Sequence, residues 1–182
     1  MVGHTLVPVV TFTEGDDPIA FMEFLLAQGV ECIEVTLRTP QGIEAIAQLK
    51  KHYGDKALIG AGTVIHEEQV ARLAGLKADF MVSPGITPAL HRAMHQSGLP
   101  YLPGIATPSE LMRAAEMGME TLKFFPANLF GGLQGLKAYG QVFPEIQFCP
   151  TGGITKETSA DYLALNNVFA VGGSWFQKEF NS

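Results

Sequence analysis

The sequence predicts an α/β chain folded as a (β/α)8 TIM barrel, and three observations predict it. Eight short apolar or β-branched runs stand at residues 7–12, 32–38, 58–64, 80–85, 101–106, 121–127, 146–154 and 168–174. Their starts lie about 20 to 26 residues apart, a spacing that fits one strand and one crossover helix per unit. Amphipathic stretches fill the gaps, as at 18–29, 40–52, 67–75, 88–98 and 108–118, all but 67–75 opening on proline, with glycine at or near the end. That asymmetry is how helices begin and end. A doubly wound open sheet shares the alternation, but eight evenly spaced units favour the barrel.

No linker or low-complexity segment interrupts the pattern, so residues 1–182 read as one domain. After the eighth run only residues 175–182 remain, too few for a full outer helix. The final helix is therefore expected to be truncated. Trp175, Phe176 and Phe180, or a neighbouring subunit, would then cover the outer faces of the last and first strands.

Composition narrows the function. The chain is 47% hydrophobic and 16% charged, with a net charge of -6, which suits a sizeable buried core. No Lys/Arg stripe is present to neutralise phosphates, which argues against nucleic acid. No cationic leader is apparent, and no apolar run approaches the roughly 20 residues of a membrane span. The two cysteines, Cys32 and Cys149, lie far apart in strand-like runs, so the reading is reduced thiols in the cytoplasm.

Barrel chemistry sits at the C-terminal ends of the strands. Lys123 lies in the sixth run, between Leu122 and Phe124, whereas the other seven lysines fall on helix surfaces, turns or the tail. Lysine is rarely buried without a partner or a use, and an amine desolvated among apolar groups becomes a nucleophile for Schiff-base chemistry. A snorkelling lysine or a structural ion pair is the plainer alternative. On the second run Glu34, Thr36 and Arg38 alternate with Ile33, Val35 and Leu37. The two-residue period turns the charged set to one face. Glu34 and Arg38 are thus expected to point inward with Lys123, Glu34 moving protons and Arg38 seating a carboxylate. A Glu–Arg pair that only holds the strand remains open.

Glycine-rich strand ends complete the set: Gly60-Ala61-Gly62-Thr63, Ser83-Pro84-Gly85, Pro150-Thr151-Gly152-Gly153 and Gly172-Gly173-Ser174. Glycines after the seventh and eighth strands suit a phosphate cradle, or merely tight turns. Gly60-Ala61-Gly62 lacks the third glycine of a dinucleotide loop. His91 and His95 have helical spacing but no third ligand, so they read as a solvated helix face and no metal is expected. Cys149 has no histidine on a neighbouring strand end, and Ser174 has no nucleophile-elbow context.

Taken together, Glu34-Val35-Thr36-Leu37-Arg38, Gly60-Ala61-Gly62-Thr63-Val64, Ser83-Pro84-Gly85, residues 122–127, 148–154 and 172–175 resemble the 2-keto-3-deoxy-6-phosphogluconate (KDPG) aldolases. That family also carries 4-hydroxy-2-oxoglutarate (KHG) aldolase activity. The likeness runs in order across nearly the whole chain; only most of the family's N-terminal helix and its last helix lack counterparts. The resemblance implies a metal- and cofactor-independent class I aldolase, typically a homotrimer, acting on a small phosphate-bearing keto acid. By motif, Lys123 would form the Schiff base and Glu34 would carry protons. Arg38 and Thr63 would hold the carboxylate, and Pro84 and Phe125 would shape the pocket. Thr151 would meet the substrate chain, with Gly152, Gly153, Gly173 and Ser174 on the phosphate. The products would be pyruvate and glyceraldehyde 3-phosphate, as in an Entner–Doudoroff-type role. Competing readings are a 6-phosphogalactonate-type aldolase, a phosphosugar isomerase or epimerase on the same barrel, and a non-catalytic scaffold.

Overall fold

Strands and helices alternate as the sequence predicts. The structure, a computed structural model, describes residues 3–182. The order is β1 (Leu6–Val10), α1 (Pro18–Ala27), β2 (Cys32–Thr36), α2 (Gln41–Tyr53), β3 (Leu58–Gly62), α3 (Glu67–Gly75), β4 (Phe80–Val82) and α4 (Pro88–Gln96). It continues with β5 (Tyr101–Leu102), β6 (Gly104–Ile105), α5 (Pro108–Glu116), β7 (Thr121–Phe124) and a 3₁₀ turn (Ala127–Phe130). Then follow α6 (Gly132–Val142), β8 (Gln147–Pro150), α7 (Lys156–Leu163), β9 (Val171–Gly173) and α8 (Trp175–Phe180).

Local chemistry sets the helix starts. Asp17 accepts from the backbone N–H groups of Ile19 and Ala20 at 2.9 and 3.1 Å, and Thr87 caps α4. Thr107 and Glu110 form a reciprocal capping box on α5. Prolines occupy the first turns of these three helices, where a missing N–H costs nothing.

The strands are parallel and form a curled six-stranded sheet, β5-β4-β3-β2-β1-β9, and a three-stranded sheet, β6-β7-β8. The fifth predicted run is thus split: Pro103, which has no N–H for a ladder, separates β5 from β6. Between β8 and the β9 segment there are only two isolated parallel bridges, Phe148 to Val168 and Thr151 to Gly172. Several runs are also shorter than the apolar stretches suggested. The ladder of β2 stops at Thr36 and that of β4 at Val82.

Two cores result. Ile33, Val35, Ile59, Ala61, Met81, Leu122 and Phe124 pack on the helices, with Leu25, Leu49, Leu73, Leu111 and Leu136. A smaller cluster of Val7, Cys32, Phe80, Val82, Leu102, Cys149 and Ala170 packs on the opposite strand faces. All five residues of β2 are buried, as parallel strands covered on both faces require.

The tail forms the short final helix expected, α8, of six residues. Trp175 and Phe176 are buried, and Phe180 sits edge-on to Phe21 at 5.1 Å and beside Phe24 at 5.4 Å. The Gln177 side chain hydrogen-bonds the backbone of Thr11. Within this chain, then, tail residues cover β1 and α1. We expect Phe180→Ala to cost about 1–2 kcal/mol, the worth of a part-buried aromatic contact. Urea unfolding checks it, and an unchanged midpoint would remove α8 from the cover.

Candidate active site

Lys123 is the third residue of β7, and its backbone N–H donates to the Pro103 carbonyl at 2.9 Å. Its strand neighbours are Gly104 and Cys149. The side chain points away from the helices, and its ammonium donates to Glu34 Oε1 at 3.1 Å. The two side chains are only 7% and 4% exposed. Such a pair survives desolvation only when the charges meet directly. The Phe125 ring, two residues along the same face, has its centroid 5.3 Å from Lys123 Nζ, within cation–π range.

Space for Glu34 comes from a missing side chain. A Cβ at Gly62 would overlap the Glu34 carboxylate, and one at Gly60 would overlap the Phe80 ring. One pleat beyond Glu34, fully buried Thr36 meets Thr11, the two hydroxyl oxygens 2.7 Å apart. Directly after β3, Thr63 has φ 58°, a left-handed conformation that is strained for a β-branched residue. Such strain is found where surrounding structure holds a functional group in place.

Below the pair lies Cys149, where burial pushes the thiol up to about 12, so it is protonated and inert at neutral pH. Cys32 is likewise raised to about 12, first by burial. Thr151 follows on the same face. It is 6% exposed, and its Oγ1 is a buried side-chain polar atom without a hydrogen-bond partner. Gly172 makes room for it: a Cβ there would strike the Thr151 hydroxyl. Gly152 and Gly153 have φ of 101° and 70° and press against Pro126 and Asn128, positions open to glycine alone. Gly173 is buried against the Trp175 indole, and Ser174 is exposed at the same rim. Half-buried Pro84 and Phe125 follow β4 and β7.

Arg38 departs from expectation. The ladder of β2 ends two residues earlier, and Arg38 stands exposed in the following turn. Its alternation with Glu34 does not carry it inside, and Glu34 takes Lys123 as partner instead. Among the described residues Arg38 has no ion-paired partner, so its guanidinium is available at the mouth. His91 is also not simply solvated: it is half-buried, with Nδ1 3.1 Å from the Tyr101 hydroxyl. Among the described residues no three His, Cys, Asp or Glu side chains gather in a metal-sized cluster. The Thr11–Thr36 pair carried no role in the sequence reading; the two-residue step from Glu34 to Thr36 was its only signal.

A cavity of about 420 Å³ opens at the opposite, N-terminal ends of the strands. Phe80, Tyr101, Leu102 and Phe169 line much of it, and no carboxylate or amine side chain does. The Lys123–Glu34 pair lies away from this cavity, toward the other end of the strands.

The KDPG and KHG aldolase family model matches residues 1–181. The KHG/KDPG aldolase of Escherichia coli K12 is 41% identical over 170 residues, which are 93% of this chain and 79% of that protein. A crystal structure of KDPG aldolase from Legionella pneumophila, with pyruvate captured as a covalent carbinolamine, is 42% identical with a TM-score of 0.92. That match covers 97% of this chain and 88% of the other. The KDPG aldolase of Zymomonas mobilis ZM4 with 3-phosphoglycerate is 37% identical with a TM-score of 0.89, covering 94% and 81% of the two chains.

Two outcomes follow from the geometry. Thr63→Gly relieves a left-handed side-chain cost of about 1–2 kcal/mol, offset by about 0.4–1 kcal/mol of unfolded-chain entropy. Chemical denaturation should therefore show stability unchanged or slightly raised; a loss above about 1 kcal/mol rejects the strain. Neither Cys32 nor Cys149 should react with a thiol reagent at pH 8 until the chain unfolds, and rapid native labelling would contradict their burial.

Proposed function

Because the chain belongs to the KDPG and KHG aldolase family, we propose that Lys123 is the Schiff-base nucleophile of a class I aldolase. The substrate is 2-dehydro-3-deoxy-6-phosphogluconate, cleaved to pyruvate and glyceraldehyde 3-phosphate. Cleavage of 4-hydroxy-2-oxoglutarate to pyruvate and glyoxylate is the same reaction on a shorter chain. The observation that carries the reading is the buried Lys123–Glu34 contact at 3.1 Å.

The chemistry starts from that contact. Glu34 accepts a proton from the Lys123 ammonium, and the freed amine attacks the keto carbon. The proton returns to the former carbonyl oxygen, giving a carbinolamine. Glu34 then takes the second proton from the attached nitrogen and passes it to that oxygen, which leaves as water and gives an iminium. A carboxylate then removes the proton of the C4 hydroxyl. The C3–C4 bond breaks, its electrons flow into the iminium as an enamine, and the aldehyde leaves. Protonation at C3 and hydrolysis release pyruvate and restore the amine. The iminium supplies the electron sink, and Glu34 is the buried carboxylate within reach of Lys123 Nζ.

The remaining roles follow position. Arg38 and Thr63 hold the substrate carboxylate from the mouth, supported by the exposed guanidinium and the strained rim. Pro84 and Phe125 bound the pocket. The unpartnered Thr151 Oγ1 meets the substrate chain, a use that would satisfy a buried oxygen otherwise costly to leave alone. Gly152, Gly153, Gly173 and Ser174 cradle the phosphate with backbone N–H groups. We read the two sheets as parts of one (β/α)8 barrel in a single domain, supported by the bridges from β8 to β9 and by β5 running into β6. A homotrimer in the cytoplasm completes the proposal. Exposed Met112, Leu129, Phe130 and Val142 support subunit contact, and two free buried cysteines support a reducing compartment.

Borohydride with pyruvate should fix a stable adduct on Lys123, located by peptide mass mapping. Lys123→Ala should abolish it, and Glu34→Gln should slow cleavage by about 10²–10⁴-fold. Labelling of another lysine with Lys123 unmodified would sink the assignment. Pyruvate release from the two C4-epimeric phosphorylated substrates separates the gluconate from the galactonate reading.

A further inference from the structure

We propose that Gln177 is a positioning residue, one that sets where the phosphate cradle stands relative to the Glu34 end of the site. The inference rests on the phosphate role proposed above for Gly173 and Ser174. The Gln177 side-chain amide bonds one backbone unit twice. Its Nε2 donates to the Thr11 carbonyl at 2.7 Å, and its Oε1 accepts from the Thr11 N–H at 3.2 Å. A neighbouring strand would make that same pair of bonds. β9 pairs with β1 through Val171 to Leu6, Gly172 to Val7 and Gly173 to Pro8. There the chain turns into α8 and the ladder ends, so Gln177 continues the pairing with a side chain.

The connection extends into the site. The Thr11 hydroxyl contacts that of Thr36 at 2.7 Å, and Thr36 lies two residues beyond Glu34 on the same strand face. Three polar contacts therefore join the segment after the cradle to the strand bearing the proton carrier. Two other contacts of α8 act elsewhere, while Trp175 packs directly on Gly173. Phe180 packs on α1, and the Lys156–Glu179 pair is solvent-exposed, where an ion pair is worth little. Gly172 and Gly173 have no side chains to locate themselves. Their backbone pairs with Val7 and Pro8 at the end of the ladder, and the Thr151 side chain and the Trp175 ring press on them from the sides. Where substrate is held at two ends, a shift of about 1 Å is enough to cost catalysis.

The test compares the full chain with Gln177→Met, which keeps length and bulk but loses both bonds, and with Gln177→Ala. Each is assayed on the phosphorylated six-carbon substrate and on unphosphorylated 4-hydroxy-2-oxoglutarate, with inorganic phosphate as a competitive probe of the cradle. We expect the ratio of kcat/KM for the phosphorylated over the unphosphorylated substrate to fall about fivefold in both variants, the effect of roughly one net hydrogen bond. Inhibition by inorganic phosphate should weaken by a similar factor. Equal losses on the two substrates would reduce Gln177 to a structural role and overturn the proposal. So would a ratio equal to that of the unaltered chain. If the unaltered chain shows neither preference for the phosphorylated substrate nor inhibition by phosphate, the cradle reading itself falls, and this inference with it.

Discussion

A buried ion pair governs this molecule. Bringing Lys123 and Glu34 out of water costs several kcal/mol per ion, and a direct contact returns that cost only with close geometry. The surrounding residues supply it. Gly62 gives up a side chain so that the carboxylate has room, and Phe125 offers its ring face to the ammonium. Cys149 beneath stays protonated and adds no competing charge. An apolar pair of similar size would pack at least as well, so stability alone does not account for the charges. The proton exchange proposed between amine and carboxylate does.

The interior is divided along its length. At the C-terminal ends of the strands lie the amine, the carboxylate, the Thr11–Thr36 hydroxyls and the orphan Thr151 oxygen. At the N-terminal ends the lining is aromatic and aliphatic, around an apolar cavity. Cys32, Phe80, Val82 and Cys149 form the floor between them. The reacting end thus rests on a dry layer, which strengthens every charge–charge interaction above it.

Much of this was legible in the sequence, for physical reasons. Strands buried on both faces read as apolar runs, so their order emerged, though eight runs became nine strands when the fifth split, and a lysine within one stood out at once. Strand ends were less visible. Periodicity continued through Arg38 although the ladder stops at Thr36, because side-chain alternation carries no record of where backbone pairing ends. Pro103 signalled a break that the surrounding apolar residues masked. Helix α6 contains Gly132, Gly135 and Gly140, poor helix formers, and the structure explains two of them by close packing on Phe130 and Asn167. The hold of Gln177 on Thr11 links residues 166 positions apart, a relation no local pattern reveals.

That long-range hold bears on how the chain assembles. Strand β1, which emerges before the other strands described, must wait for β9 and α8 before one of its edges is paired. Until then it presents an open parallel edge, the kind of surface that invites pairing with another chain. Contacts between such distant residues also slow folding, because loop closure is lost before the contact repays it. The proposed phosphate cradle is therefore completed late, with β9 and α8, after the amine and carboxylate are both already in the chain.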